Sequence, residues 1–174
     1  MCEINFVHSR EIERAVLAIL MMLPDKIAEI TDFLESGDFY YKRDQVIFST
    51  ICQAHAQGLA VDLVLLCHYL EQKGLLAECG GATYLASILD GVSVKAVIKN
   101  LTQYCMELRR LRILRNIQKY CYRAMLHGFE EDLTAALNEI MRYFDFEKEA
   151  NHGRRADDSE TGMRVSECQE EHGI

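Results

Sequence analysis

The chain has 174 residues, 49% of them hydrophobic, with one proline and no tryptophan. That length supports one domain with a real core, or one domain with an accessory element, and so few helix breakers predict an α-rich chain. A formal charge of −8 argues against general nucleic-acid affinity for the chain as a whole.

The uncharged apolar run from Ala15 to Leu23 is far too short to cross a bilayer. No basic segment precedes it as in a signal peptide, so a cytoplasmic location without a membrane anchor is expected. The seven cysteines contain no C-x-x-C pair and are expected as reduced thiols. A zinc reading would enlist Cys52, His55, Cys67, His68 and Cys79. Structural zinc sites usually pair ligands twice at tight spacing, so these cysteines read instead as small apolar fillers. No metal or cofactor is expected.

Residues 1–8 form an N-terminal extension. Ser9 then caps a helix whose apolar positions are Ile12, Ala15, Val16, Ile19, Leu20 and Leu23, the spacing of one helix face. Pro24 ends it and opens a second helix, with Ile27, Ile30, Phe33 and Leu34 as its face and Gly37 as its stop. Phe39-Tyr40-Tyr41 is an aromatic knot that could stack nucleobases, although core anchoring is the more ordinary use of such residues. A third helix runs from about Arg43 to Gln57, with Val46, Ile47, Ile51 and Ala54 inward and Gly58 as its stop.

The stretch from Val61 to Leu89 is the most heavily punctuated. Asp62 caps a helix carrying Leu63, Leu66 and Leu70, and Gly74 stops it. Gly80-Gly81 permits a tight turn, and Tyr84, Leu85, Ile88 and Leu89 face inward from a fifth helix. Residues 9–91 therefore read as a compact bundle of about five short helices.

From Ser93 to His127 there is neither proline nor glycine, and the apolar repeat predicts one unbroken helix about 50 Å long. Gly128 turns the chain, and a returning helix carries Leu133, Leu137, Ile140, Met141 and Phe144 behind the acids Glu130 to Asp132. The expected architecture is all-α: the bundle followed by a long projecting helical hairpin over residues 92–146. The hairpin's apolar stripe should seek another copy or another protein. Its candidates for self-association are Tyr104, Leu108, Leu111, Leu114, Leu137 and Met141.

The first arm carries eight bases against the single acid Glu107, a charge of +7 that leaves −15 for the remainder. This face is either solvated, or it meets an acidic partner or nucleic acid. Arg109, Arg112, Arg115 and Lys119 are its candidates for partner contact. Residues 147–174 hold eight acids, four bases and few apolar residues, and are expected to form a disordered acidic tail.

Residues 9 to about 146 resemble the N-terminal domain of the DnaB-type replicative DNA helicases. Glu13-Arg14-Ala15-Val16-Leu17 looks like that family's opening E-x-x-V-L, and the likeness continues through Asp38-Phe39-Tyr40 and Ile47-Phe48. It is strongest through Val61-Asp62-Leu63, Leu70, Gly74, Leu76, Gly80-Gly81 and Tyr84-Leu85, which stand in the family's order and spacing. Arg112 falls where the family has a hairpin arginine. Ala18 replaces a usual glycine, Asp44 a usual histidine, and Val97 and Leu101 replace an asparagine and a tyrosine that often mark the hairpin's start.

The resemblance implies a collar domain of the helicase hexamer, in which hairpins pair into dimers and three dimers close a ring. Its implied partners are other copies, helicase motor subunits and primase, with direct nucleic-acid binding weak or absent. The phosphate-loop motif G-x-x-x-x-G-K-[ST], which a motor needs, does not occur in the chain. The chain by itself is therefore expected to be no enzyme. Two other readings stand beside this one: a free-standing modulator of a host helicase ring, and a nucleic-acid-binding module that uses the basic arm.

Overall fold

The computed structural model describes residues 6–90, 92–127 and 130–167, with side chains through residue 148. All regular structure among them is helical, without strands. Two compact units divide the chain, Met1–Asn116 and Ile117–Ile174.

The first unit is built around α1 (Arg10–Met22). The Ser9 hydroxyl caps it by accepting from the Ile12 amide at 3.4 Å. The sequence pattern marks one apolar face, yet every residue from Val16 to Met21 is buried. The reason is position: α3 (Lys42–Ala56), α5 (Gly81–Leu89) and α6 (Val94–Lys99) all pack against α1, so no side of its middle reaches solvent. Ala18 lies in that enclosed stretch, fully buried.

Pro24 opens a 3-10 turn (Pro24–Lys26) that leads into α2 (Ile27–Phe33). Ile27, Ile30 and Leu34 are buried as expected, whereas Phe33 is exposed. Gly37 does not end α2. It sits in a second 3-10 turn, Ser36–Asp38, after Leu34 has already gone extended. From α3, Ile47, Ile51 and Ala54 enter the core and Val46 packs against it.

Both ends of α4 (Leu63–Gln72) follow from local chemistry. Asp62 accepts from the Leu65 amide at 2.8 Å. At the other end Gly74 adopts φ +69, and the Gly74 and Leu75 amides bond back to Glu71 and Leu70 carbonyls. That paired closure needs a left-handed residue, which glycine adopts without a Cβ clash. Gly80 (φ +85) precedes α5, and a Cβ there would lie 2.8 Å from that of Tyr84.

The expected single helix from Ser93 to His127 is interrupted. Asn100 separates α6 from α7 (Leu101–His127), with φ −114 and ψ 15. Its side-chain amide donates to the Ala96 carbonyl at 3.0 Å, a local bond that competes with the helical ladder. The core also runs past the expected bundle boundary at residue 91. Val97, Leu101, Cys105 and Leu108 are all buried in the same cluster as α1, so the first compact unit extends to Asn116.

In the second unit, α7 continues from Ile117 to His127, and α8 covers Glu130–Glu167. Glu130, Glu131 and Asp132 place negative charge at the α8 N-terminus, where the helix dipole favours it. Arg123 pairs with Asp132 at 3.4 Å. The backbone remains helical through Glu167, where the composition predicts irregular structure after Phe146. No proline lies beyond Pro24 to remove a ladder donor. Residues 168–174 lie outside the described residues.

Candidate functional site

Two of the arginines expected to meet a partner are turned inward. Arg112 and Arg115 are three apart on α7, so they leave the helix on neighbouring lines and reach the same Ser36–Asp38 turn. Arg112 Nη1 pairs with Glu35 at 2.7 Å and with Asp38 at 3.4 Å. Arg115 Nη2 donates to the main-chain carbonyls of Asp38 at 2.6 Å and Gly37 at 3.3 Å. A Cβ on Gly37 would contact the Arg112 guanidinium at 3.5 Å, which shows how closely the side chain lies over the turn.

The turn is held from its other side as well. Asp38 accepts from the Glu35 amide at 2.7 Å, and Glu13 of α1 accepts from the Tyr40 amide at 3.0 Å. Phe39 packs on Phe48 with ring centroids 4.9 Å apart. His8 stacks on Tyr40 at 4.2 Å and meets the Tyr41 hydroxyl at 3.1 Å. The aromatic knot is thus anchored within the fold.

Burial sets the electrostatics here. It pushes the Glu13 and Asp38 carboxyls above their usual range, despite amide donors to both and the Arg112 ion pair at Asp38. Burial pulls Arg115 down against the attraction of Glu13 and Asp38. On Arg112 burial also pulls down, but Glu35 and Asp38 outweigh it and the net shift is upward. Glu13 Oε2 and Arg115 Nη1 are buried without a hydrogen-bond partner among the described residues.

A second polar contact ties α3 to α5. The Tyr84 hydroxyl donates to Asp44 at 2.8 Å, and the Arg43 guanidinium lies 4.0 Å from the Tyr84 ring centroid. Burial raises Asp44, and burial together with Asp44 pushes Tyr84 up to about 12. Sequence reasoning assigned Glu35, Asp38 and Asp44 no such role. The available signal was that Glu13, Asp38-Phe39-Tyr40 and Arg112 all stood among the residues carrying the family resemblance.

Cys52, Cys67, Cys79 and Cys105 lie in or against the core as fillers, whereas Cys121 is exposed. Burial pushes the Cys52 thiol up to about 11 and that of Cys105 to about 12, so neither supplies a thiolate near neutrality. Cys79 is buried with its sulfur 3.9 Å from the Arg43 carbonyl.

The self-association candidates fall into distinct environments. Leu108 is 0% exposed within the core of the first unit, so it cannot meet another copy without unfolding. Tyr104 is half-buried against the same core, and Leu111 and Leu114 are half-buried. Leu137 and Met141 stand 58% and 63% exposed on α8, joined on one face by exposed Leu133 and Phe144. Among the described side chains of α8, the buried ones are instead Asp132, Ala136 and Glu139. A helix that buries two acids and an alanine while exposing four large apolar side chains carries an unpartnered face. Among the partner-contact candidates, Arg109 and Lys119 remain exposed.

Comparison with known proteins follows the same outline. The DnaB-like helicase N terminal domain model matches residues 5–110. The chain belongs to that family. The replicative DNA helicase DnaB of Mycobacterium leprae is 29% identical over 129 residues, 74% of this chain and 21% of that protein. Its counterpart in Pasteurella multocida is 32% identical over 110 residues, 63% of this chain and 23% of that one. The chain thus spans between a fifth and a quarter of the length of these two relatives. The crystal structure of the N-terminal domain of DnaB helicase from Mycobacterium tuberculosis matches with a TM-score of 0.68 at 25% identity, covering 79% of this chain and 99% of that one. A DnaB-like replicative helicase, described with its interactions with primase, shares the fold at a TM-score of 0.58 and 21% identity, covering 78% of this chain and 31% of that one. Within the DnaB-type frame, the matched segment ends at residue 110, just before Arg112.

Proposed function

We propose that the chain is an assembly and docking module of DNA replication. It joins copies of itself into dimers, and dimers into a ring collar, through the α8 face of Leu133, Leu137, Met141 and Phe144. It offers primase or another replisome protein a docking surface and leaves ATP hydrolysis and unwinding to motor subunits. The observation that carries this reading is the exposure of that four-residue face. Covering one such side chain is worth about 1.5–3 kcal/mol, so association gains from each. The family membership and the relative described with primase support the setting.

The nucleic-acid reading of the basic arm loses ground, because Arg112 and Arg115 are spent on internal contacts. The test is solution mass across a concentration series, for the natural chain and for Leu137→Glu with Met141→Glu. Self-association in the natural chain that is lost in the variant supports the proposal, and a monomer at every concentration sinks it. Capture of purified primase and of intact helicase then separates docking from ring entry.

A further inference from the structure

The first compact unit contains a second feature, remote in sequence from the α8 face. A cleft of about 310 Å³ opens between the Ser36–Asp38 turn, α3 and the C-terminal end of α4. Its described lining includes two cations, Lys42 and Lys73, and no acid, in a chain that carries 27 acids against 19 bases. We propose that this cleft binds an acidic peptide segment of a partner protein, one carboxylate side chain lying beside an aliphatic one.

Each part of the lining has a match in such a ligand. Lys42 and Lys73 are exposed ammonium groups suited to a carboxylate. Lys73 Nζ already donates to Gln53 at 2.7 Å, which fixes its position and leaves further N–H groups for a ligand. Gln45 and Gln53 carry both donors and acceptors, as a peptide backbone requires. Val46 and Leu75 supply the apolar patch for an aliphatic side chain. Thr50 lines the cleft on the α3 face that it shares with Val46 and Gln53.

The same lining disfavours nucleic acid. It includes no arginine and no aromatic side chain among the described residues, so neither bidentate phosphate recognition nor base stacking is provided. The proposal does not depend on the α8 face, and a chain that fails to self-associate could still bind here.

The experiment is an NMR titration of the 15N-labelled chain with three probes. These are a short blocked peptide carrying Asp and Leu among serines, its counterpart with Lys in place of Asp, and a single-stranded oligothymidylate. The acidic peptide should move the amides of Ser49, Thr50 and Lys73 saturably, and the other two should not. Lys42→Glu with Lys73→Glu changes exposed side chains and should weaken binding at least tenfold while the spectrum stays dispersed. Absence of movement with the acidic peptide, equal movement with either other probe, or unchanged affinity in the double lysine variant would overturn the proposal.

Discussion

Arg115 donates to the main-chain carbonyl of Asp38 at 2.6 Å, across 77 residues of sequence. The bond ties α7 to the turn that follows α2, and it supplies a charged donor to the main-chain carbonyl of a buried residue. Charged hydrogen bonds of this kind are worth about 1.5–3 kcal/mol, and losing the donor also leaves the turn's carbonyls unsatisfied. Arg115→Met should therefore lower unfolding stability by about 2–4 kcal/mol in a urea titration. Arg112→Ala breaks an exposed pair with Glu35, worth about 1 kcal/mol or less, and a longer 3.4 Å contact to buried Asp38, and should cost less than Arg115→Met. Equal losses in the two variants would contradict this ordering.

The buried carboxyls make stability depend on pH in a defined direction. Glu13, Asp38 and Asp44 are all raised, chiefly by burial. A raised carboxyl holds its proton in the folded state at pH values where the unfolded chain has released it. Its stabilising contribution is complete below the unfolded carboxylate range and is lost as pH rises through the folded value. Urea midpoints should thus fall from the ordinary carboxylate range up to these higher values and then level off. Glu13→Gln removes one of the three groups and should make that fall shallower; a variant with the same slope would refute the assignment.

Leu108 and the α8 pair separate core from interface. Leu108→Ala should cost about 2–5 kcal/mol in stability, because it empties a fully enclosed site. Leu137→Glu and Met141→Glu replace exposed side chains and should change the monomer's stability by less than about 0.5 kcal/mol. Their effect belongs in the solution mass. Thermal or urea melts at a concentration where only the monomer is present, set beside sedimentation, would check both halves.

Gly80 and Tyr84 form a steric pair at the start of α5. Gly80→Ala adds a Cβ 2.8 Å from Tyr84 Cβ at a residue with φ +85. Strain in the left-handed region alone costs about 1–2 kcal/mol, and the clash adds to it. Tyr84→Phe removes the hydroxyl donor to buried Asp44 and should cost about 1.5–3 kcal/mol. Gly80→Ala should also displace the Tyr84 ring from Arg43, which aromatic NMR resonances would register.

The helices of the bundle were legible in the chain because their signals are local. Ser9, Asp62 and Gly74 act within four residues of themselves, and each does what its type and position predict. The family resemblance rested on the same short-range punctuation. Asn100 was one local miss, as Gly37 was: an unbroken apolar repeat concealed a side chain that bonds its own helix's carbonyl.

What periodicity could not decide was which neighbour each face meets. The pattern of α1 marks one apolar face, but enclosure by three helices buried its whole middle. Leu108 and Leu137 belonged to the same expected stripe, and tertiary packing enclosed one while leaving the other at the surface. Arg112 and Arg115 looked like a basic face, because no spacing within α7 announces a turn more than 70 residues earlier. The sequence by itself determined the family, most helices of the bundle and the ends that Ser9, Asp62 and Gly74 mark, since those depend on interactions along a few turns of chain. The tertiary structure alone decided which charges are internal and which apolar face is left for a partner, because both depend on what long-range packing brings alongside.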